Sequence, residues 1–384
     1  MLSSRIKFKK FKNKNSLSKI SKIYKNLVIS NTELLRSLSK NYNQSFTEKT
    51  ILKHKKNKNF RIIGMGGSTL GSQAIYDFLN HKIKKNFEFI DNLIPQRKNE
   101  KKKFTNLIVS KSGNTIETIV NTNILIKKRE KNIFITEDKN SYLNLLAKKL
   151  KAEIINHNNF IGGRYSVLSE VGMLPAELMG LDSNKFKQLN SLIKNKKFEN
   201  ALLSNVAASL YYLKKKKFNS IIINYDEKSE NLFKWYQQLV AESLGKKNLG
   251  ILPMVSIMPR DNHSVMQLYL DGFKNNFFTF FYVKQKKSDQ IINKNILSLK
   301  NYLKNKDVSE ILYAQKNATE NVFKKKNIPF RSFEIYNRDE KTLGELFCFF
   351  ILETILIGKA LKIDPYNQPA VELIKKETKK LLVN

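Results

Sequence analysis

The amino-acid sequence predicts an α/β protein with two tandem α/β/α sandwich domains, each built on a mostly parallel sheet. From Phe60 onward, short apolar and β-branched runs alternate with helical patterns, an order that favours a parallel sheet with helices on both faces. The same order recurs in the second half, where residues 220–225 predict a buried strand followed by a helix. A chain of 384 residues with 41% hydrophobic residues is long enough for two such cores.

Changes in composition and periodicity divide the chain into four predicted parts. Residues 1–58 are basic and predict an N-terminal helical segment, and residues 59–183 form the first sandwich domain. Residues 184–363 form the second domain. Because Pro365 cannot continue the preceding helix, residues 364–384 are predicted to form a separate C-terminal helix.

The elements of each domain follow from local periodicity, with apolar runs of strand length separated by helical patterns. In the first domain the predicted strands are residues 61–63, 87–90, 107–109 and 132–136, with helices at 70–79 and from about 116 to 129. In the second domain the predicted strands are residues 220–225, 277–283 and 329–336, with helices at 184–216, 230–244, from 263, at 308–324 and at 340–360. The final helix is predicted over residues 368–380.

The formal net charge of +37 raises nucleic acid as a partner. However, the lysines are spread through every segment, asparagine is abundant beside them and arginine is rare. A groove for phosphate backbones would favour arginine with interleaved aromatic residues. We therefore expect no nucleic-acid partner, and we expect the positive surface to attract sugar phosphates instead.

The composition also bears on compartment and cofactors. No apolar run approaches the roughly 18 to 20 residues that a membrane-spanning helix needs, and residues 1–16 lack the apolar stretch of a secretory signal. The single cysteine, Cys348, lies in an apolar run and is predicted to be a buried core residue, which suits a reducing cytoplasm. No spacing of histidine, cysteine and carboxylate suits a metal, so we expect no metal site.

Hydroxyl-rich residues follow the predicted strand at 107–109, in the stretch Ser110-Lys-Ser-Gly-Asn-Thr115. At the start of a helix the first backbone N–H groups lack internal partners and the helix dipole is positive, so an anion is favoured. Ser110, Ser112 and Thr115 can donate to phosphate oxygens, and Lys111 adds charge. An ordinary polar turn with Thr115 as N-cap explains the same stretch.

A glycine-rich loop, Gly64-Met-Gly-Gly-Ser68, follows the strand at 61–63. Thr69 stands where a dinucleotide-binding loop needs its third glycine, and no Gly-Lys-Ser/Thr follows for a P-loop. The loop can still bring backbone amides and the Ser68 hydroxyl against a small ligand. Packing alone also produces glycine turns of this kind.

Three further stretches carry candidate catalytic groups. Gly162 and Gly163 place Arg164 in a tight turn, where its guanidinium would be a permanently charged donor to a ligand oxygen, or a surface arginine. Gln238 and Glu242 share one face of the predicted helix at 230–244, so Glu242 is a candidate general base or a solvent-facing residue near Lys246. Of the four histidines, His263 alone lies among other candidate polar groups.

Taken together, these stretches resemble the phosphoglucose isomerase family, which is built from two sugar-isomerase (SIS) domains. The resemblance runs from about residue 60 to 376, roughly four-fifths of the chain. The matching motifs, in the family's order, are Gly64-Met-Gly-Gly-Ser68, Ser110-Lys-Ser-Gly-Asn-Thr115, Gly162-Gly-Arg-Tyr-Ser166, Gln238 to Lys246, Asn262-His-Ser264 and Asn367-Gln-Pro-Ala-Val-Glu372 followed by Lys375.

The resemblance implies interconversion of glucose 6-phosphate and fructose 6-phosphate through a cis-enediol. It implies no metal or organic cofactor, because the substrate's own carbonyl makes the transferred proton acidic. It implies that Lys375 and His263 assist ring opening, that Glu242 moves the proton between C2 and C1, and that Arg164 stabilises the enediolate. The substrate-binding residues that it implies are Ser68, Ser110, Lys111, Ser112, Thr115, Gly163, Gln238 and Gln368. In the family the histidine comes from the partner subunit, so the resemblance also implies a homodimer with His263 donated across its interface.

Four positions depart from the family pattern, namely Thr69 for Asp, Asn262 for Gln, Asn367 for Asp and Ala370 for Gly. None removes a proposed catalytic group, but they leave a dual phosphoglucose and phosphomannose isomerase open. A non-catalytic SIS-type sugar-phosphate sensor is the other alternative. A sensor predicts a missing base, whereas Glu242 and His263 are both present.

Overall fold

The structure is a computed structural model that describes residues 2–12, 17–96, 102–285, 288–289 and 302–383. The strands are β1 Ile6–Lys9, β2 Asn59–Ile63, β3 Asn86–Ile90, β4 Thr105–Val109, β5 Lys131–Thr136, β6 Glu153–Asn156, β7 Asn219–Asn224, β8 Leu252–Ile257, β9 Asn276–Val283 and β10 Phe330–Ile335.

The α-helices lie between these strands and at the C-terminal end of the described chain. They are α1 Ser18–Ile29, α2 Glu33–Ser37, α3 Glu48–His54, α4 Leu70–Phe78, α5 Ile116–Leu125, α6 Tyr142–Lys149, α7 Glu170–Met179, α8 Ser183–Phe186, α9 Leu189–Leu192, α10 Lys196–Lys214, α11 Glu230–Leu244, α12 Met266–Asp271, α13 Val308–Lys325, α14 Glu340–Ala360 and α15 Pro369–Val383.

Two five-stranded sheets organise the chain, in the orders β3-β2-β4-β5-β6 and β1-β10-β9-β7-β8. All pairs in the first sheet are parallel, and in the second only the β1–β10 pair is antiparallel. The prediction of an α/β protein with mostly parallel sheets and a C-terminal helix is confirmed. The proposed domain bounds stay predictions, although the first sheet lies wholly within residues 59–183.

The N-terminal segment differs from the prediction that it is helical throughout. Helices α1 to α3 are present, but residues 6–9 form β1, which pairs with β10 through Ile6 opposite Ile335 and Lys9 opposite Ser332. The segment Ile-Lys-Phe-Lys alternates apolar and charged residues, which suits a half-buried strand. It also covers one edge of the second sheet, whose backbone groups would otherwise lack partners.

Two further strands were not predicted, and both lie at sheet edges. β6 is a four-residue strand that pairs only with β5. β8 contains Pro253, which lacks a backbone N–H and is tolerated only where a strand has a free edge. The stretch predicted as one helix over residues 184–216 is divided into α8, α9 and α10.

Helix α14 lies in the core that both sheets share. Its residues from Leu346 to Leu352 are completely buried, and it packs against α1, α8, α10 and α11. Cys348 is buried as predicted, and burial raises the pKa of its thiol to about 12. Within the described residues no helix is long and apolar enough to cross a membrane.

Helix α11 links the two sheets. It contacts β8 and α14 on the side of the second sheet and α4 on the side of the first. Its apolar stripe, including Trp235 and Leu239, is completely or almost completely buried. The indole Nε1 of Trp235 donates a hydrogen bond of 3.1 Å to the backbone oxygen of Arg164. The polar face of α11, with Gln238 and Glu242, is thereby held beside the loops of the first sheet.

Candidate active site

The buried side chain of Arg164 is the centre of the candidate site. It lies in a 3-10 turn, Gly163–Leu168, and is only 2% exposed. Its Nε donates to Ser243 Oγ at 2.8 Å, and one terminal nitrogen donates to Glu242 Oε2 at 3.1 Å. The charge of this buried guanidinium is therefore paired with the candidate base.

The remaining N–H groups of Arg164 bind the loop that precedes α15. One terminal nitrogen donates to the backbone oxygens of Pro365 at 2.8 Å and Asn367 at 3.1 Å. The other donates to Gln368 Oε1 as well as to Glu242. All five guanidinium N–H groups thus have acceptors. Arg164 lies where predicted, but it has no spare donor for a ligand oxygen in this state of the site.

Two side chains that the sequence analysis did not single out support Arg164. Ser243 Oγ accepts from Arg164 Nε and lies 2.8 Å from the hydroxyl of Tyr165, which also donates to Pro365 O at 3.0 Å. Burial raises the pKa of Tyr165, so its hydroxyl stays neutral. Both residues directly follow a predicted site residue, and that adjacency was the available signal.

The glycine-rich loop makes a close approach to this arginine and to α11. A Cβ on Gly67 would lie 2.2 Å from the carbonyl carbon and oxygen of Gly163. Gly66 has a positive φ of 53°, and a Cβ there would lie 2.6 Å from Gln238 Nε2. Only glycine permits both the left-handed backbone and the contact. Gly66 and Gly67 therefore pack against Gln238 and the Gly163–Arg164 backbone, and the half-buried Ser68 follows them in the loop.

Glu242 is held from two sides on the last turn of α11. Gln238 Nε2 donates to Glu242 Oε1 at 2.9 Å, while Arg164 binds the other carboxylate oxygen. The buried Gln238 Oε1 has no hydrogen-bond partner among the described residues. Lys246 Nζ donates to the backbone oxygens of Glu242 and Ser243, both at 2.8 Å, and so caps the helix end. Glu242 remains partly exposed, at 26% of its side chain.

The hydroxyl loop at residues 110–115 lies next to the glycine-rich loop, because β2 and β4 are neighbouring parallel strands. A Cβ on Gly64 would lie 2.8 Å from the backbone oxygen of Val109. Ser110 Oγ and Thr115 Oγ1 are 3.0 Å apart, and Ser110 Oγ also accepts from the Gly113 N–H at 3.2 Å. The loop precedes the N-terminus of α5, as an anion site requires.

Lys111 differs from the other residues of this loop in the direction of its side chain. Its Nζ donates to the backbone oxygen of Asn159 at 2.8 Å and lies 3.6 Å from Glu137 Oε1. Burial lowers the pKa of Lys111, and Glu137 opposes that shift. Its charge is thus shared with a carboxylate, and Ser112, which is exposed, is the freer donor of the two.

The structure does not bring His263 and Lys375 into contact with Glu242. His263 is exposed at the end of the 3-10 turn Arg260–His263. Lys375 lies on α15, is 56% exposed and pairs with Glu372 at 2.7 Å. The residues that do meet are Gly163, Arg164, Gln238, Glu242 and Gln368, and the glycine-rich loop with Ser68 and the loop at residues 110–115 lie beside them.

The fold and these residues define an α/β protein with a polar site between two mostly parallel sheets. Comparison with known proteins gives the family. The family model for phosphoglucose isomerase matches residues 26–250. Glucose-6-phosphate isomerase of Methanocaldococcus jannaschii is 33% identical over 342 residues, which is 83% of this chain and 83% of that protein. Glucose-6-phosphate isomerase of Mycoplasmopsis pulmonis is 34% identical over 350 residues, which is 84% of this chain and 82% of that protein.

A solved structure supports the same fold. The crystal structure of a glucose-6-phosphate isomerase from Chlamydia trachomatis aligns with a TM-score of 0.72 and 18% identity, over 95% of this chain and 74% of that one. At that identity the likeness concerns the fold alone. The family model and the sequence relatives show that the chain belongs to the phosphoglucose isomerase family.

The close contact between the glycine-rich loop and the arginine turn predicts that alanine is destabilising at Gly67 but tolerated at Gly163, the glycine that faces it. Gly67→Ala should lower the free energy of unfolding by about 1–3 kcal/mol, because its Cβ would overlap the Gly163 carbonyl. Gly163→Ala is the matched control, since a Cβ there meets nothing within 4 Å, and it should change stability by less than about 0.5 kcal/mol. Urea unfolding followed by tryptophan fluorescence measures both. Equal losses in the two variants would contradict the packing described here.

Proposed function

We propose that Glu242, held between Arg164 and Gln238, is the base that moves a proton in the interconversion of glucose 6-phosphate and fructose 6-phosphate. That isomerisation is the activity of the protein, as its family and its relatives at 33–34% identity indicate. The observation that carries the assignment is the pair of hydrogen bonds to the two oxygens of the Glu242 carboxylate, at 3.1 and 2.9 Å. They fix its orientation and leave it partly exposed to a substrate.

In the proposed mechanism the phosphate binds at the hydroxyl loop. Ser110, Ser112 and Thr115 donate to its oxygens, the first backbone N–H groups of α5 add a positive dipole end, and Ser68 lies alongside. Ser110 and Thr115 already face one point, since their oxygens are 3.0 Å apart. This end of the substrate takes no part in bond changes, so it supplies orientation.

The chemistry follows at the other end of the sugar. Lys375 and His263 assist opening of the ring by moving protons at its ring oxygen and the anomeric hydroxyl. Glu242 then removes the C2 proton and returns it to C1, while a proton passes from the C2 hydroxyl to the C1 oxygen, so that the aldose becomes a ketose without net gain or loss of atoms. The Gln238 amide orients the sugar hydroxyls.

Arg164 stabilises the negative charge that develops on the enediolate oxygens. Because its five N–H groups are already occupied, it acts through its fixed charge at short range, or by releasing Gln368 when substrate enters. Gly163 and Gln368 line the substrate side of this arginine in the same proposal.

The site requires a second subunit if His263 is to reach it. Within the described chain His263 is exposed and does not contact Glu242. We infer a homodimer in which each subunit supplies His263 to its partner, as in the family resemblance. We also infer a cytoplasmic location, which suits a chain whose single cysteine is buried and reduced.

Replacing the base tests the mechanism. Glu242→Gln should lower kcat for fructose 6-phosphate by about 10²–10⁴, because a neutral amide cannot take the C2 proton. Glu230→Gln, on the first turn of the same helix, is the control and should retain the rate. The assay couples glucose 6-phosphate to its dehydrogenase. A near-normal rate in folded Glu242→Gln would mean that the base is misassigned.

A mixing experiment tests whether the site is shared. Glu242→Gln and His263→Ala should each be nearly inactive as homodimers. When the two variants are unfolded, mixed in equal amounts and refolded, half of the dimers carry both, and each mixed dimer has one intact site of two. Activity should return to about a quarter of the wild-type level. If the mixture stays as inactive as the separate variants, His263 does not cross the interface.

A further inference from the structure

A cavity lined by lysines lies beside the second sheet, next to the last residue of β1 and the first residue of β10. Its volume is about 450 Å³, and its lining shares no residue with the candidate active site. The lysines come from four places in the chain: the end of β1 and the residues after it, the end of α10, the turn before β7 and the last turn of α13. They are Lys9, Lys10, Lys12, Lys215, Lys217 and Lys324. We call the pocket that they line the lysine cavity.

Most of these lysines lack an acidic partner. Lys9 pairs with Glu320 at 3.0 Å, and Lys217 donates to a backbone oxygen. Within the described residues the side chains of Lys10, Lys12 and Lys324 make no hydrogen bond or ion pair, and Lys215 contacts only the ring of Tyr211. Six like charges around one cavity repel each other, so a bound anion would relieve the repulsion.

The ends of two helices explain only part of this charge. α10 ends at Lys214 and α13 at Lys325, and a helix C-terminus attracts cations because it carries a partial charge of about −0.5. The two helix ends together supply a charge of about −1. Glu320 supplies one carboxylate, which is also paired with Lys316. These negative charges do not balance the six lysines. The cavity therefore keeps a net positive charge.

The size and lining of the lysine cavity indicate a small ligand with several linked phosphates. A volume of about 450 Å³ is in the range of small-molecule pockets, and it is too small for a nucleic-acid duplex. A single orthophosphate carries about two negative charges at neutral pH, fewer than the six lysines of the lining. Tyr211, Tyr212 and Phe330 also line the cavity, and Tyr211 is 38% exposed, so part of its ring can contact a bound base. Lys9 already lies over the Phe330 ring at 4.6 Å.

We propose that the lysine cavity is a second anion site, separate from the active site, that binds a linear oligophosphate, either inorganic or carried by a nucleotide. The phosphate chain is the shared chemistry of the two sources. Lysine ammonium groups bind it as flexible point charges, and the aromatic lining would contribute only if a base is attached.

Calorimetric titration with inorganic tripolyphosphate tests the proposal. The titration uses the full chain at low ionic strength without divalent cations, with glucose 6-phosphate present in excess so that the hydroxyl loop is occupied. The triple variant Lys12→Ala, Lys215→Ala and Lys324→Ala should bind tripolyphosphate at least tenfold more weakly than the wild type. A parallel titration with ATP separates the sources, because tighter binding of ATP that Tyr211→Ala removes would assign the site to a nucleotide.

The matched control removes three exposed lysines elsewhere, Lys128→Ala, Lys148→Ala and Lys149→Ala, which have the same effect on net charge. It should bind tripolyphosphate like the wild type. An equal loss in the control would attribute binding to the general charge of the surface and overturn the proposal. Tighter binding of a twelve-nucleotide oligothymidylate than of tripolyphosphate, lost in the cavity variant, would also overturn it. Isomerase activity should be unchanged in both variants, so this test does not depend on the catalytic assignment.

Discussion

The site depends on the hydrogen bonds and the ion pair that the buried guanidinium of Arg164 makes. A charge that is 2% exposed is costly unless its donors are satisfied, and here all five N–H groups have acceptors. The acceptors come from α11 and from the loop before α15. One arginine therefore ties the turn of the first half of the chain to a helix and a loop of the second half. Leaving one donor of a buried group without an acceptor typically costs about 1–3 kcal/mol, and more when the group is charged.

This arrangement separates two tasks in space. The first sheet supplies loops at the carboxyl ends of β2 and β4, where glycines allow close approach and the hydroxyls of Ser110 and Thr115 lie side by side. Helix α11 supplies the carboxylate and the amide. On the apolar side of α11, Trp235 connects this helix to the arginine turn through its hydrogen bond to the backbone oxygen of Arg164. In the proposed mechanism the unreactive phosphate anchors the substrate while its carbons lie near Glu242.

The sequence predicted the parts of the fold that have strong local patterns. The buried strand at residues 107–109 and the helix at 230–244 have clear periodicity, and both were confirmed. β1 and β8 lie at sheet edges, where β1 is half-charged and β8 contains Pro253, so their patterns are weak. Their pairing depends on contacts with strands that are distant in the sequence, so a short stretch of sequence does not reveal it.

The candidate site could be predicted by residue type but not by contact. Arg164, Gln238 and Glu242 were found from their positions in motifs, whereas the support from Ser243 and Tyr165 depends on tertiary packing. The same holds for Lys111, whose side chain contacts Asn159 and Glu137 because β5 and β6 bring those residues beside it. Within the described chain His263 and Lys375 do not contact Glu242, so the roles proposed for these two residues depend on their positions in motifs.

Solvent exchange tests the central claim, proton transfer by a carboxylate held by Arg164, most directly. The protein is incubated with fructose 6-phosphate in D₂O for many turnovers, and the sugar phosphates are examined by proton NMR. A carboxylate that takes the C2 proton exchanges it with solvent, so deuterium should accumulate at C2 of glucose 6-phosphate and C1 of fructose 6-phosphate, and Glu242→Gln should lose this exchange together with isomerisation. Isomerisation without any solvent deuterium at these carbons, or exchange that persists in Glu242→Gln, would contradict the account.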